Sequence, residues 1–438
     1  MKKLEGILLI ALAFSLYACQ GPAGPAGKDG ANGANGANGA NGSNGTSAFW
    51  SIEGYKDSLQ CGICHTADYD TTFFVAAKKV QYEASGHKEL GDYDRNTTQC
   101  AGCHTNEGFY ERYRNGFANE TYVEGVISGP KVTRSYPESS PVGCFSCHSP
   151  HRRGNFTRRD TLATNIFTIV AGQTTKVWNG TRSSNLCVKC HQPRMTSTFL
   201  IPGTTPVSWK PDPTKTALTD TAKIYTVRWN NHVSGEQSQT LLGFGGFEFI
   251  SGGTPAQSYH RTAVNSQLLG CPQCHMATPI GNKGGGHTFK IGYIPEGATT
   301  ESFNFAGCNT TACHGTGGVT ATNAKWKTVR DEIGYKINLL GRMMMDTTIT
   351  KKWSLPKSGQ AVAWTSMTVN VVGGVNDTAW AVNSSAVSSS SPLVIVPAYK
   401  AGALWNLQQV YNEKSKGIHN TAYVRALLDA SIAELNLP

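Results

Sequence analysis

A chain of 438 residues, 39% hydrophobic and 16% charged, is long enough for two or three ordinary domains and too apolar for general disorder. Its formal charge of +10 at first suggests a nucleic-acid partner. Its 13 cysteines rule out a chain with only incidental thiols, because so many imply disulfides, metal sites or a covalently held cofactor.

Taken in chain order, Lys2 and Lys3 precede an apolar run from Ile7 to Phe14 and then Leu16-Tyr17-Ala18-Cys19. This is the pattern of a signal peptide over residues 1–18. The small residue before Cys19 resembles a bacterial lipobox, so Cys19 is expected to carry lipid and to anchor the chain to a membrane. Gln20, not being aspartate, favours the outer membrane, on its periplasmic face or at the cell surface. Residues 19–48 contain glycine at every third position from Gly21 to Gly45, a collagen-like period stiffened only by Pro22 and Pro25. An extended polar stalk is expected rather than a triple helix, with a reach of about 75 Å at the polyproline rise.

The folded part is expected to start near Phe49. Within 49–200 four segments read C-x-x-C-H: Cys61-Gly-Ile-Cys64-His65, Cys100-Ala-Gly-Cys103-His104, Cys144-Phe-Ser-Cys147-His148 and Cys187-Val-Lys-Cys190-His191. Two more lie within 271–320: Cys271-Pro-Gln-Cys274-His275, and a variant with four residues between its cysteines, Cys308-Asn-Thr-Thr-Ala-Cys313-His314. This spacing suits covalent attachment of haem c, in which two cysteines form thioethers and the next histidine binds iron as the proximal ligand. In the variant, the longer loop must bulge for both sulfurs to reach one haem edge. Zinc ribbons and disulfides also use paired cysteines, but neither needs a histidine beside the second one. With only 12 histidines in the chain, six such coincidences are negligible, and six haem c groups in two clusters are expected.

The remaining histidines are His87, His151, His232, His260, His287 and His419, the number needed to give each iron a second imidazole. His148 and His151, three residues apart, cannot straddle one porphyrin, so His151 is assigned to a neighbouring haem. Met195 and Met276 lie near motifs but are left no vacancy, and read as fillers. Haem also changes the meaning of the charge. Removal of residues 1–18 takes two lysines and one glutamate, reducing +10 to +9, and the propionates and irons of six haems bring the sum to roughly +3 oxidised and −3 reduced. Arg152/Arg153 and Arg158/Arg159 then read as solvated charge or propionate partners, and no nucleic-acid partner is expected.

Residues 201–270 form a loop-rich insertion without cysteine, expected as loops and short strands. In 321–438, Trp326, Val329, Ile333, Ile337 and Leu340 fall at helical spacing, with Met343-Met344-Met345 closing that helix. A small β insertion is expected over about 360–397, where Met367, Val369 and Val371 alternate before Gly373-Gly374. A helix over Leu404–Tyr411, a break at Gly417 and a last helix capped by Asn420, with Val424, Leu427, Leu428 and Leu435 on one face, complete the chain.

These passages resemble the multihaem c-type cytochromes of metal-reducing bacteria, in particular their outer-membrane lipoprotein forms. SGHKEL ahead of CAGCH is similar to the distal-histidine element of that family, CFSCHSPH to its C-x-x-C-H-x-P-H element, and CPQCHMA to a common haem-site context. WNLQQVYNEKSKGIHNTAYVRALLDASIAEL resembles the family's closing segment, which implies an axial role for His419. The resemblance covers most of 80–315 and 400–438; the C-x4-C-H site and the stalk depart from it. It implies a multihaem cytochrome fold that is mainly α, with extensive loops and a small β insertion, organised around covalently bound haems. The expected function is electron transfer to partner cytochromes or extracellular acceptors. A reductase with one open haem and a subunit of a cytochrome filament are the alternatives, and oligomeric state is left open.

Overall fold

A computed structural model describes residues 74–89, 92–116, 132–148, 158–159, 162–178, 180–193, 209–225, 235–346 and 392–436, and the backbone of strands at 121–123, 126–128, 354–355, 367–371 and 378–382. All lie in the compact unit Phe49–Pro438. The expectations for the signal peptide, Cys19 and the stalk, for Cys61, Cys64 and His65, and for His151, His232, Arg152, Arg153 and Met195 concern residues outside these.

The described chain is mainly helical, with loops and small sheets. Its first half carries short helices: α1 (Val75–Glu83), α2 (Gly86–Glu89), α3 (Ala101–His104), α4 (Asn106–Asn115), α5 (Cys144–Cys147) and α6 (Asn185–Val188). The start of α4 is marked by Thr105, whose hydroxyl accepts the Gly108 N–H at 3.0 Å. The middle adds α7 (Gln237–Leu242), α8 (Tyr259–Asn265) and α9 (Cys271–His275), where Pro272 occupies a first-turn position that needs no N–H. Among the described residues, no helix is long and apolar enough to cross a membrane.

Three longer helices close the chain: α10 (Val329–Met345), α11 (Ala401–Asn412) and α12 (Thr421–Asn436). Ile333, Ile337, Leu340 and Met344 of α10 are buried against Leu404, Leu407 and Val410 of α11 and Val424, Leu428 and Leu435 of α12, forming the main core. α11 is buried almost all round, as befits a helix with apolar or amide side chains on every face. Asn420 caps α12 by accepting the Tyr423 N–H at 3.4 Å, and Gly417, at φ 87°, turns the chain between the two helices.

The sheets are small and antiparallel. Strands β1 (Thr121–Val123) and β2 (Val126–Ser128) pair, as do β3 (Asn165–Ile166) with β4 (Lys176–Val177). Of the remaining strands, β5 (Ala222–Ile224) sits beside β11 (Leu393–Ile395), and β8 (Ser354–Leu355) flanks β11 on its other side; β6 (Gly292–Tyr293) pairs with β7 (Ser302–Phe303), and β9 (Met367–Val371) with β10 (Thr378–Val382).

Within 201–270 the described residues, 209–225 and 235–270, hold more than loops and short strands. They supply β5, α7 and α8, and the turn Phe244–Phe249 enters the core. This glycine-rich turn is held by α11 side chains: Asn406 accepts the Phe247 N–H at 2.7 Å and donates to the Phe247 carbonyl at 2.8 Å, and Trp405 Nε1–H donates to the Gly245 carbonyl at 2.9 Å. Such order comes from partners 160 residues away and leaves no periodicity in the local sequence.

Candidate functional site

Each described C-x-x-C-H segment forms a single tight turn. The backbone N–H groups of His104, His148 and His191 donate to the carbonyls of Cys100, Cys144 and Cys187 at 3.2, 2.9 and 3.0 Å. Cys271–His275 coincides with α9. In the long variant the His314 N–H reaches the Cys308 carbonyl at 3.2 Å despite the two additional residues, while the Cys313 N–H closes onto Thr310 at 3.0 Å. The extra loop is therefore absorbed as an inner turn, and His314 leaves the backbone in the same relation to the first cysteine as its counterparts.

Among the described residues four pairs of imidazoles lie close together, tilted or edge-on, and each joins a motif histidine to a histidine from outside the motifs. Ring centroids lie 6.1 Å apart for His87 and His191, 6.2 Å for His148 and His287, 6.1 Å for His260 and His314, and 6.3 Å for His275 and His419. Two imidazoles gripping one metal from opposite sides, with bonds of about 2 Å and ring centres roughly 1.1 Å beyond the nitrogens, stand about 6.3 Å apart. The pairs thus have the separation that one ion between them requires. Among the described residues, no three His, Cys, Asp or Glu side chains converge as a metal cage.

The other ring nitrogen is held in three cases. His260 Nδ1–H donates to the Ile418 carbonyl at 2.8 Å, His275 Nδ1–H to the Phe289 carbonyl at 2.9 Å, and His419 Nδ1–H to Glu413 Oε2 at 2.7 Å. Such bonds fix the tautomer and leave Nε2 for a metal. Burial holds His87, His275 and His287 down at about 4, with the neighbouring His191, His419 and His148, respectively, as the next cause. Burial also lowers His260 and His314. At neutral pH these five rings keep the uncharged form that a metal needs.

Phe289 lies among three of the pairs: its ring is 4.8 Å from that of His87 and 6.0 Å from that of His287, and its carbonyl holds His275. The backbone of His287 is fixed by Gln81 of α1, which accepts its N–H at 3.0 Å.

None of the ten described cysteines is in a disulfide. Their thiols cross-refer between motifs: Cys103 beside it, together with burial, raises Cys190; Cys187 and burial raise Cys271; Cys308 and burial raise Cys274. Burial, then Cys187 and Cys144, pushes Cys147 up to about 12. The partners of Cys271 and Cys274 move the other way: the Cys271 thiol lowers Cys187 and the Cys274 thiol lowers Cys308. The adjacencies order the motifs in space as Cys100, Cys187, Cys271, Cys308, with Cys144 beside Cys187.

Charged residues fasten the turns. Buried Arg112 of α4 donates to Cys103 Sγ at 3.1 Å and to the Lys189 carbonyl at 3.2 Å, joining two motifs. Arg159, expected as solvated charge or a propionate partner, stacks over Tyr110 and Tyr113 at 4.8 and 5.1 Å and donates to the Phe145 carbonyl at 2.8 Å, so it is more than solvated charge. Arg112, Gln81, Phe289 and Glu413 are not visible in motif spacing. Only Glu413 carries a sequence signal, an acidic residue at the end of an apolar helix where the dipole disfavours it.

Comparison with family models, curated proteins and solved structures gave no match at the significance required.

Proposed function

We propose that this chain is an electron-transfer protein holding six haem c groups, each iron between two histidines. The observation that carries this reading is the set of four imidazole pairs, each joining a motif histidine to a distal candidate at the separation one ion needs. The assignment then runs His191 with His87, His148 with His287, His275 with His419 and His314 with His260, leaving His151 and His232 for His65 and His104. Cys100/Cys103, Cys144/Cys147, Cys187/Cys190, Cys271/Cys274 and Cys308/Cys313, with Cys61/Cys64, supply the thioethers. Bound haem would contribute a one-electron ferric/ferrous couple.

The chain's own part is to close both axial positions, keep the imidazoles neutral and set the motifs side by side for transfer between centres. Closed coordination favours a carrier over a reductase, which needs an open position. With lipid on Cys19 and a stalk behind the folded unit, the carrier would serve partner cytochromes or extracellular acceptors from the outer membrane.

Pyridine haemochrome analysis of the purified protein should count six haems per chain, and ferric EPR and resonance Raman spectra should show all of them low-spin and six-coordinate. A high-spin ferric haem would transfer the reading to the reductase class, and a count of zero would sink it.

A further inference from the structure

The pair His275–His419 differs from its neighbours in what holds its ligand. Glu413 follows the last residue of α11, and its side chain is fully buried, 0% exposed. A carboxylate there stands at the negative end of the helix dipole and has lost its water, and each circumstance costs stability. Its hydrogen bonds are local: the Ser415 hydroxyl donates to Oε1 at 2.7 Å, the Gly417 N–H reaches Oε1 at 3.4 Å, and His419 Nδ1–H donates to Oε2 at 2.7 Å. Ser415 Oγ also accepts the His419 N–H at 3.1 Å, so the Lys414–Ile418 loop wraps the carboxylate against the imidazole. Glu236, also buried, is raised chiefly by desolvation, with Glu413 adding to the rise and Lys414 opposing it. By contrast, the Nδ1–H groups of His260 and His275 meet neutral backbone carbonyls.

We propose that Glu413 is a positioning residue that lowers the reduction potential of the His275–His419 centre. This rests on the reading of those two histidines as an axial pair. A carboxylate accepting Nδ1–H makes the imidazole a stronger donor through Nε2, and a stronger donor stabilises the ferric over the ferrous ion. The step it biases is the gain of one electron by ferric iron from a donor cytochrome or titrant, with no bond or proton exchanged at Glu413. A low-potential station between the Cys187 and Cys308 motifs would set the Cys308 centre apart from the Cys100, Cys144 and Cys187 centres by a step of lower affinity for electrons.

The test is a spectroelectrochemical titration of the full haem-loaded protein and of Glu413→Gln, which keeps an acceptor for His419 and removes the charge. One of the six one-electron waves should move positive by on the order of tenfold in its reduction equilibrium, about 59 mV, with every haem still low-spin. Ser415→Ala, which withdraws the hydroxyl sharing the carboxylate's charge, should move the same wave the other way and reads the effect independently of how Glu413→Gln folds. Six unmoved waves in both variants would overturn the proposal, as would a high-spin haem in Glu413→Gln, since the carboxylate would then serve only to place the ligand. His419→Ala separates this from the parent reading: one five-coordinate haem supports the axial pair, whereas six low-spin haems would remove His419 from iron altogether.

Discussion

Cys313 is the test residue for the long motif. The bond from the His314 N–H to the Cys308 carbonyl reproduces the closure of the shorter motifs, so the inner turn Asn309–Ala312 leaves Cys308 and Cys313 as a working pair. If the motif holds haem as proposed, Cys313→Ala would leave it held by one thioether and prone to loss: mass spectrometry under denaturing conditions should find chains with five haems. An unchanged six-haem mass would mean that Cys313 holds none. At this scale the cysteines and motif histidines were legible because covalent attachment demands a contiguous pattern. The partner of each motif histidine was not: nothing in the neighbourhood of His87 specifies His191 rather than His104, and the choice is made by α1, α2 and the Phe289 turn packing around it. Gln81 and Glu413 each reach a histidine through one hydrogen bond, and no spacing rule announces such a bond.

Among the elements, α10 and α12 are joined by a charged seam as well as by their apolar faces. Arg425 donates from Nε and Nη2 to the two oxygens of Glu332, both at 2.7 Å, and Lys336 lies 3.1 Å from Glu332 and 2.6 Å from Asp429. The Arg425 guanidinium, opposed by some desolvation and aided by Lys336, brings the Glu332 carboxyl down to about 2 from 4.5. Because the folded-state value lies below the unfolded one, the stabilisation is present above about pH 4.5 and is lost as pH falls towards 2. Both partners are partly exposed, so solvent screening reduces the contribution to about 1 kcal/mol. Glu332→Gln should lower the unfolding free energy by about that amount at pH 7 and flatten the acid limb of the stability profile, as measured by denaturant titration across pH 2–6. The helices themselves were legible from their 3.6-residue stripes, and α10, α11 and α12 lie close to their expected limits. The Phe244–Phe249 turn was not, because Asn406 and Trp405 substitute for a neighbouring strand and impose the order from outside.

For the molecule as a whole, buried apolar side chains are unevenly distributed. The largest cluster joins α10, α11 and α12 to β5, β11, Phe247 and Phe249, whereas the clusters that touch the motifs are smaller: Val188 with Ile166, Trp178, Leu241, Leu242, Phe244 and Val264, packed by Leu269 and Cys271, and Phe109 with Leu186, packed by Tyr113, Cys147 and Cys190. On the proposed reading the porphyrins make up the difference. Protein produced in a host lacking haem-attachment machinery is therefore expected to lose protection over residues 74–193 while the three C-terminal helices keep theirs; hydrogen exchange followed by peptide mapping checks this, and uniform protection would contradict it. The same imbalance explains why the fold class was legible in outline only: the first half has short helices and small apolar clusters, which leave little hydrophobic periodicity to read, and on the proposed reading cofactor takes the place of that core. The pairing of His275 with His419, and of His148 with His287, has a further consequence in time. In an exported chain of the proposed kind, the motifs of Cys144 and Cys271 would leave the translocation channel long before His287 and His419, and the centre begun at Cys271 would wait for the segment just before α12. During export, therefore, each of these irons would pass through an interval with one face open to small molecules, and the order of synthesis, not only the finished structure, would decide how long that interval lasts.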